Sequence, residues 1–159
     1  MIGTSKRALI FATLAIVISQ TAGAAAPNAK LWNGTWHLNA SKSKFSPSTK
    51  EQSETRTYDI SGGKVTMKSS SKDPAGKELN FSYSAGLDGK SYAMVGNPNA
   101  DSISINAVSA REIKARSRLH RKLAVQSTAM VSADGKHLTI ARKMLRIKGT
   151  PTDVLKFDR

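Results

Sequence analysis

The sequence predicts an all-β fold, an antiparallel up-and-down β-barrel of about 8–10 strands. Three observations predict it. Turn signals recur at short intervals through the chain: Ser61-Gly62-Gly63-Lys64, Asp73-Pro74-Ala75-Gly76-Lys77, Leu87-Asp88-Gly89-Lys90 and Ala133-Asp134-Gly135-Lys136. The runs between them alternate apolar and polar residues with period two, as strands with one buried face require. So many strands in 159 residues expose unpaired edges unless the sheet closes on itself.

In chain order, the first segment is set apart from the fold. Lys6 and Arg7 precede an apolar run from Ala8 to Ile18, and Ala22-Gly23-Ala24 fits a small-residue cleavage site. That run is shorter than the roughly 20 residues a spanning helix needs. The expectation is a cleaved signal peptide over 1–24 and a single barrel domain over 25–159. The protein is then periplasmic or secreted, in a bacterial setting, and not transmembrane.

Gly34 to Leu38 reads as the first strand. Asn39 to Gln52 is rich in Ser and Lys and contains Pro47, which predicts a loop with about one helical turn. Arg56, Tyr58 and Ile60 then share a face, followed by Val65 and Met67. Leu79, Phe81 and Tyr83 come next, and Tyr92 and Met94 continue the pattern. Ile103, Ile105 and Ala107 form the next inward set. The stretch 107–124 is Arg-, Lys- and Ala-rich, but its parity favours a strand: Ile113, Ala115 and Leu119 fall opposite Lys114, Arg116 and Arg118. Leu123, Val125 and Ser127 are expected to pair across Asp134-Gly135 with Leu138 and Ile140, and Val154 to Arg159 is a final short strand.

Gly34-Thr35-Trp36-His37-Leu38-Asn39 resembles the first strand of the calycin superfamily, with the G-x-W of lipocalins and the G-T-W-x-L of fatty-acid-binding proteins. Trp36-His37-Leu38-Asn39-Ala40-Ser41-Lys42-Ser43-Lys44-Phe45 is similar to a W-x-L-N-x-x-K-S-K-F stretch of small bacterial exported lipocalin-like proteins. The resemblance implies that Gly34 and Trp36 form a structural signature. Trp36 would plug one end of the barrel, and Gly34 would let another backbone approach. Leu155-Lys156-Phe157 stands where fatty-acid-binding proteins carry an R-x-Y carboxylate clamp, so that clamp does not carry over.

The chain has no Cys, which excludes a thiolate nucleophile and Cys-ligated metals. His37, His120 and His137 show no catalytic or metal-binding spacing, so the expectation is a non-enzyme without a metal or cofactor. Arg56 and Arg142 share parity with apolar residues. Inside a barrel each needs a carboxylate, hydroxyls or an anionic ligand head. With Tyr58, Phe81, Tyr83 and Tyr92 they are the expected ligand-binding set, for a small hydrophobic or amphipathic molecule with an anionic head among the options.

Lys and Arg number 25 against 11 Asp and Glu, a formal net charge of +14. The alternative expectation is therefore a basic envelope protein, without a ligand cavity, that meets anionic lipid, polysaccharide or an acidic partner. The basic run Arg111 to Lys122 carries that reading. Nucleic acid is not expected as a partner, because no aromatic residue lies between Tyr92 and Phe157 to stack on bases.

Overall fold

The computed structural model describes residues 25–159. The expected leader lies outside the described residues. Ten antiparallel strands form one closed barrel in simple up-and-down order: β1 (Gly34–Leu38), β2 (Ser53–Ser61), β3 (Lys64–Lys72), β4 (Glu78–Gly86), β5 (Asp88–Val95), β6 (Ser102–Ser109), β7 (Glu112–Leu119), β8 (Lys122–Val131), β9 (His137–Met144) and β10 (Thr152–Asp158). The barrel shuts where β1 pairs with both β2 and β10. This architecture is compatible with the lipocalin and fatty-acid-binding-protein folds. Among the described residues no helix is long and apolar enough to cross a membrane.

The period-two pattern explains the wall. In β2, Glu54, Arg56, Tyr58 and Ile60 are buried while Ser53, Thr57, Asp59 and Ser61 are exposed. In β3, Val65, Met67, Ser69 and Ser71 point inward in the same way. The basic stretch 107–124 is strand apart from turns at 110–111 and 120–121, with Ile113 of β7 buried and Lys114 and Arg116 exposed.

The Asp134-Gly135 hairpin forms, but its register differs from the expected one. Val131 faces Leu138 and Ala129 faces Ile140, while Ser127 faces Arg142. A bulge sits between β7 and β8, where Ser117 pairs with Val125 but Arg118 pairs with Leu123. The extra residue, Ala124, is buried and turns inward, so Leu123 leaves the face that holds Val125 and Ser127.

The two ends of the barrel differ. One is closed by a short helix that the sequence pattern did not reveal, α1 (Ala29–Trp32), capped by the Asn28 side chain accepting from the Lys30 amide. Trp32 and Trp36 are wholly buried there. Trp36 donates its ring N–H to the Trp32 carbonyl at 3.0 Å, and Trp32 donates to Ala110 at 3.2 Å. Arg159 lies over the Trp36 ring at 4.1 Å and donates to the Leu31 and Asn33 carbonyls, both at 2.8 Å. Gly34 has φ +124°, and the nearest atoms to a would-be Cβ belong to the Arg159 side chain at 3.9 Å. Backbone conformation, not close approach of another backbone, is what this position asks of glycine.

The other end is the mouth. After β1 the chain turns through a 3₁₀ helix at Ala40–Lys42, runs beside β10 with Lys44 bridged to Val154, and enters a second 3₁₀ turn at Pro47–Thr49. The segment 46–52 straps part of the opening. The loop is therefore two tight turns and not a helical lid, as its Ser and Pro content requires.

A candidate ligand cavity

The barrel encloses a cavity of about 590 Å³ that opens at the mouth. Apolar lining comes from facing walls, including Met67, Leu79, Phe81, Ile103, Ile113 and Ile140. Against it stand two groups of polar side chains.

The deeper group is on β2, β3 and β4. Arg56 Nε donates to Glu54 Oε1 at 2.6 Å, and Ser69 donates to the same oxygen at 2.6 Å. The guanidinium sits between aromatic rings, 5.9 Å from the centre of Phe81 and 5.4 Å from that of Phe157. The Tyr58 hydroxyl lies beside both Arg56 and Tyr83. Burial pushes the Tyr83 hydroxyl well above its usual range, with the neighbouring Tyr58 adding to the shift, so it stays a neutral donor. Tyr58 is held from below by an edge-on contact with Trp32, ring centres 5.8 Å apart.

The second group ties the strap to the wall. Asp153 is fully buried; its Oδ1 accepts from the Ser46 amide at 2.9 Å and the Thr49 hydroxyl at 2.7 Å. Arg142 reaches Asp153 with Nε at 3.1 Å and Glu51 with Nη2 at 2.6 Å. Glu51 and Glu54 face each other, and the Oε2 atom of each is buried without a donor. Two acceptors in that position require a proton between them. Burial first, then the charge on Glu54, pushes the Glu51 carboxyl up to about 7. Burial also works against ionised Glu54, but the Arg56 charge, with hydrogen bonds from Arg56 and Ser69, outweighs it and holds Glu54 below the usual value.

Of the six residues the sequence marked for a ligand, Arg56, Tyr58, Phe81, Tyr83 and Arg142 line the cavity. They do not act alike. Arg142 is engaged by Glu51, Asp153 and the Thr49 carbonyl through Nε and Nη2, so it anchors the strap. Tyr92 stands apart from the lining: it is half-buried and donates to Asp88 at 3.0 Å beside the β4–β5 turn. Its parity matches Met94, which does line the cavity. A shifted register between Asp88 and Ser91 accompanies the difference.

The carboxyl partners Glu51, Glu54 and Asp153 were missed. Two carried a readable signal, since Glu54 lies two residues before Arg56, and Asp153 two before Leu155, on strands whose inner faces were clear. Glu51 lies in a loop, where parity has no meaning. His37 and His120 are exposed, and exposed His137 contacts Asp158 at 2.7 Å. No family model matches the chain, and no curated protein matches it either.

Proposed function

We propose that this protein is an exported, non-enzymatic binding barrel, of the kind found among small bacterial lipocalin-like proteins, that holds one small hydrophobic or amphipathic molecule. The observation that carries this reading is the cavity of about 590 Å³, largely apolar, with a few polar groups converging at one place. Sites for small molecules have that size and that composition. The apolar part of the ligand lies against Met67, Ile103, Ile113 and Ile140. Its polar end accepts hydrogen bonds from Tyr58 and Tyr83 beside the Arg56 guanidinium. Because Glu54 already neutralises Arg56, a neutral acceptor such as a carbonyl suits the polar end, and a carboxylate there shares the guanidinium with Glu54.

Titration with oleate and with its methyl ester, read by displacement of 1-anilinonaphthalene-8-sulfonate, tests this. Ala115→Phe places a ring in the lumen and should abolish uptake while leaving the circular dichroism of the barrel unchanged. Tyr83→Phe removes one donor and should weaken oleate binding by about fivefold to tenfold, one neutral hydrogen bond's worth. Uptake that survives Ala115→Phe would overturn the reading.

A further inference from the structure

A second feature lies on the outer wall. Between Ser102 and Thr152 the sequence carries eleven Lys and Arg against two acids, Glu112 and Asp134. The fold spreads this excess over β6 to β9 and the turns beside them, and of these cations Arg142 and Arg146 line the cavity. The pairing register places the outward residues side by side. Asn106 faces Lys114, which faces Thr128; Arg116 faces Gln126, which faces Lys143. A shallow open groove runs across these strands, lined by those six side chains with Ala141 and Thr152, and reaching Ala115, Ser127 and Arg142, which also line the cavity.

The lining has a definite chemistry. Lys114 and Arg116 stand two residues apart on one strand, about 7 Å. Lys143 stands two strands away from Arg116, about 10 Å. Lys114 has a loose contact with Glu112 at 3.9 Å, but among the described residues neither Arg116 nor Lys143 has an ion pair. Between the cations stand an Asn amide, a Gln amide and a Thr hydroxyl, each able to donate and accept. No carboxylate and no aromatic ring interrupts the groove.

We infer that this groove is a binding site for an anionic polysaccharide, a hydroxyl-rich chain carrying carboxylates or phosphates at intervals. Cations alone would suit any polyanion. Interleaved amides and a hydroxyl in a concave channel match sugar hydroxyls as well as the charges. A planar lipid surface cannot follow a concave groove, and nucleic acid would leave its bases without a stacking partner. The inference stands apart from the lumen, since the six polar side chains it rests on belong to the groove and are absent from the cavity lining.

The test uses protein produced from the full-length chain and titrated calorimetrically with polygalacturonate, with oligothymidylate, and with phosphatidylcholine vesicles containing phosphatidylglycerol. Polygalacturonate should bind more tightly than either of the others, and its affinity should fall as salt rises. The double variant Arg116→Gln with Lys143→Gln should lose at least about tenfold in affinity. Arg121→Gln with Lys122→Gln removes the same charge from the neighbouring turn and should lose less than about threefold. Independently of any variant, bound polygalacturonate should protect Lys114 and Lys143 from acetylation and leave Lys77, at the mouth, reactive. Equal losses in the two double variants, equal protection of Lys77, or tighter binding to vesicles or oligothymidylate would overturn the assignment.

Discussion

Glu51 is a carboxyl whose ionisation the fold resists, and its effect on stability has a definite sign. Its carboxyl is raised from 4.5 to about 7 in the folded chain, so the folded state holds a proton there that the unfolded state has lost. Stability from this group is complete below the unfolded value and is lost as pH rises through 7. Glu54, depressed by Arg56, contributes in the opposite sense and loses its part as pH falls below its unfolded value. The melting temperature should therefore fall as pH rises from about 4.5 to about 7 and level off above that. Glu51→Gln should flatten that slope, because the amide can donate to Glu54 and still accept from Arg142. A variant that melts with the same pH slope as the parent would assign the slope to another group. At the closed end, Gly34→Ala forces a side chain into φ +124° and should cost about 1–3 kcal/mol in chemical denaturation.

Among the elements, pairing is uneven. β2–β3 and β3–β4 each pair over nine positions, whereas β4 and β5, though eight to nine residues long, pair at only Ser82–Val95 and Tyr83–Met94. Backbone groups on either side of that short ladder lack the shelter of a neighbouring strand. Amide exchange should be fastest for β5 and the adjoining edge of β4, and slowest in β3 and β8. The strap 46–52 depends on side chains and not on a ladder: Asp153, Arg142 and Glu51 hold it. Asp153→Asn removes a buried charge and weakens its bond to Arg142. It should raise proteolysis within 46–52 while leaving the barrel's strand content unchanged.

At the level of the whole molecule, closure depends on a narrow seam. β1 meets β10 at only His37–Asp158 and Leu38–Phe157, extended by the Lys44–Val154 bridge. The chain's last residue reinforces that seam, since Arg159 covers Trp36 and ties α1 to the wall. Arg159→Ala should lower the melting temperature by roughly 3–6 °C without changing the unfolding cooperativity. The same closure divides the chemistry in two. Period-two alternation sends Arg56, Tyr58 and Tyr83 to an enclosed lumen, and sends Lys114, Arg116 and Lys143 to water.

How much could be read before folding depends on range. Alternation, Asp-Gly turns and the G-T-W start specify the strands, the barrel and the inward set, because side-chain direction in a strand is fixed locally by the pleat. Strand parity likewise directs Arg56 and Arg142 to the lumen. It did not supply Arg142's partner Glu51, 91 residues away in a loop, nor the bulge at Ala124 that turns Leu123 away from the inner face. It also did not separate Tyr92, whose local pattern is that of Met94, from the cavity lining. Those features belong to register and closure. The sequence by itself determined which residues alternate and where the chain turns. Only the tertiary structure decided which inward charges meet, which cations share a groove and how much empty volume remains, because each is set by the register between strands and the closing of the sheet, which parity within one strand does not fix.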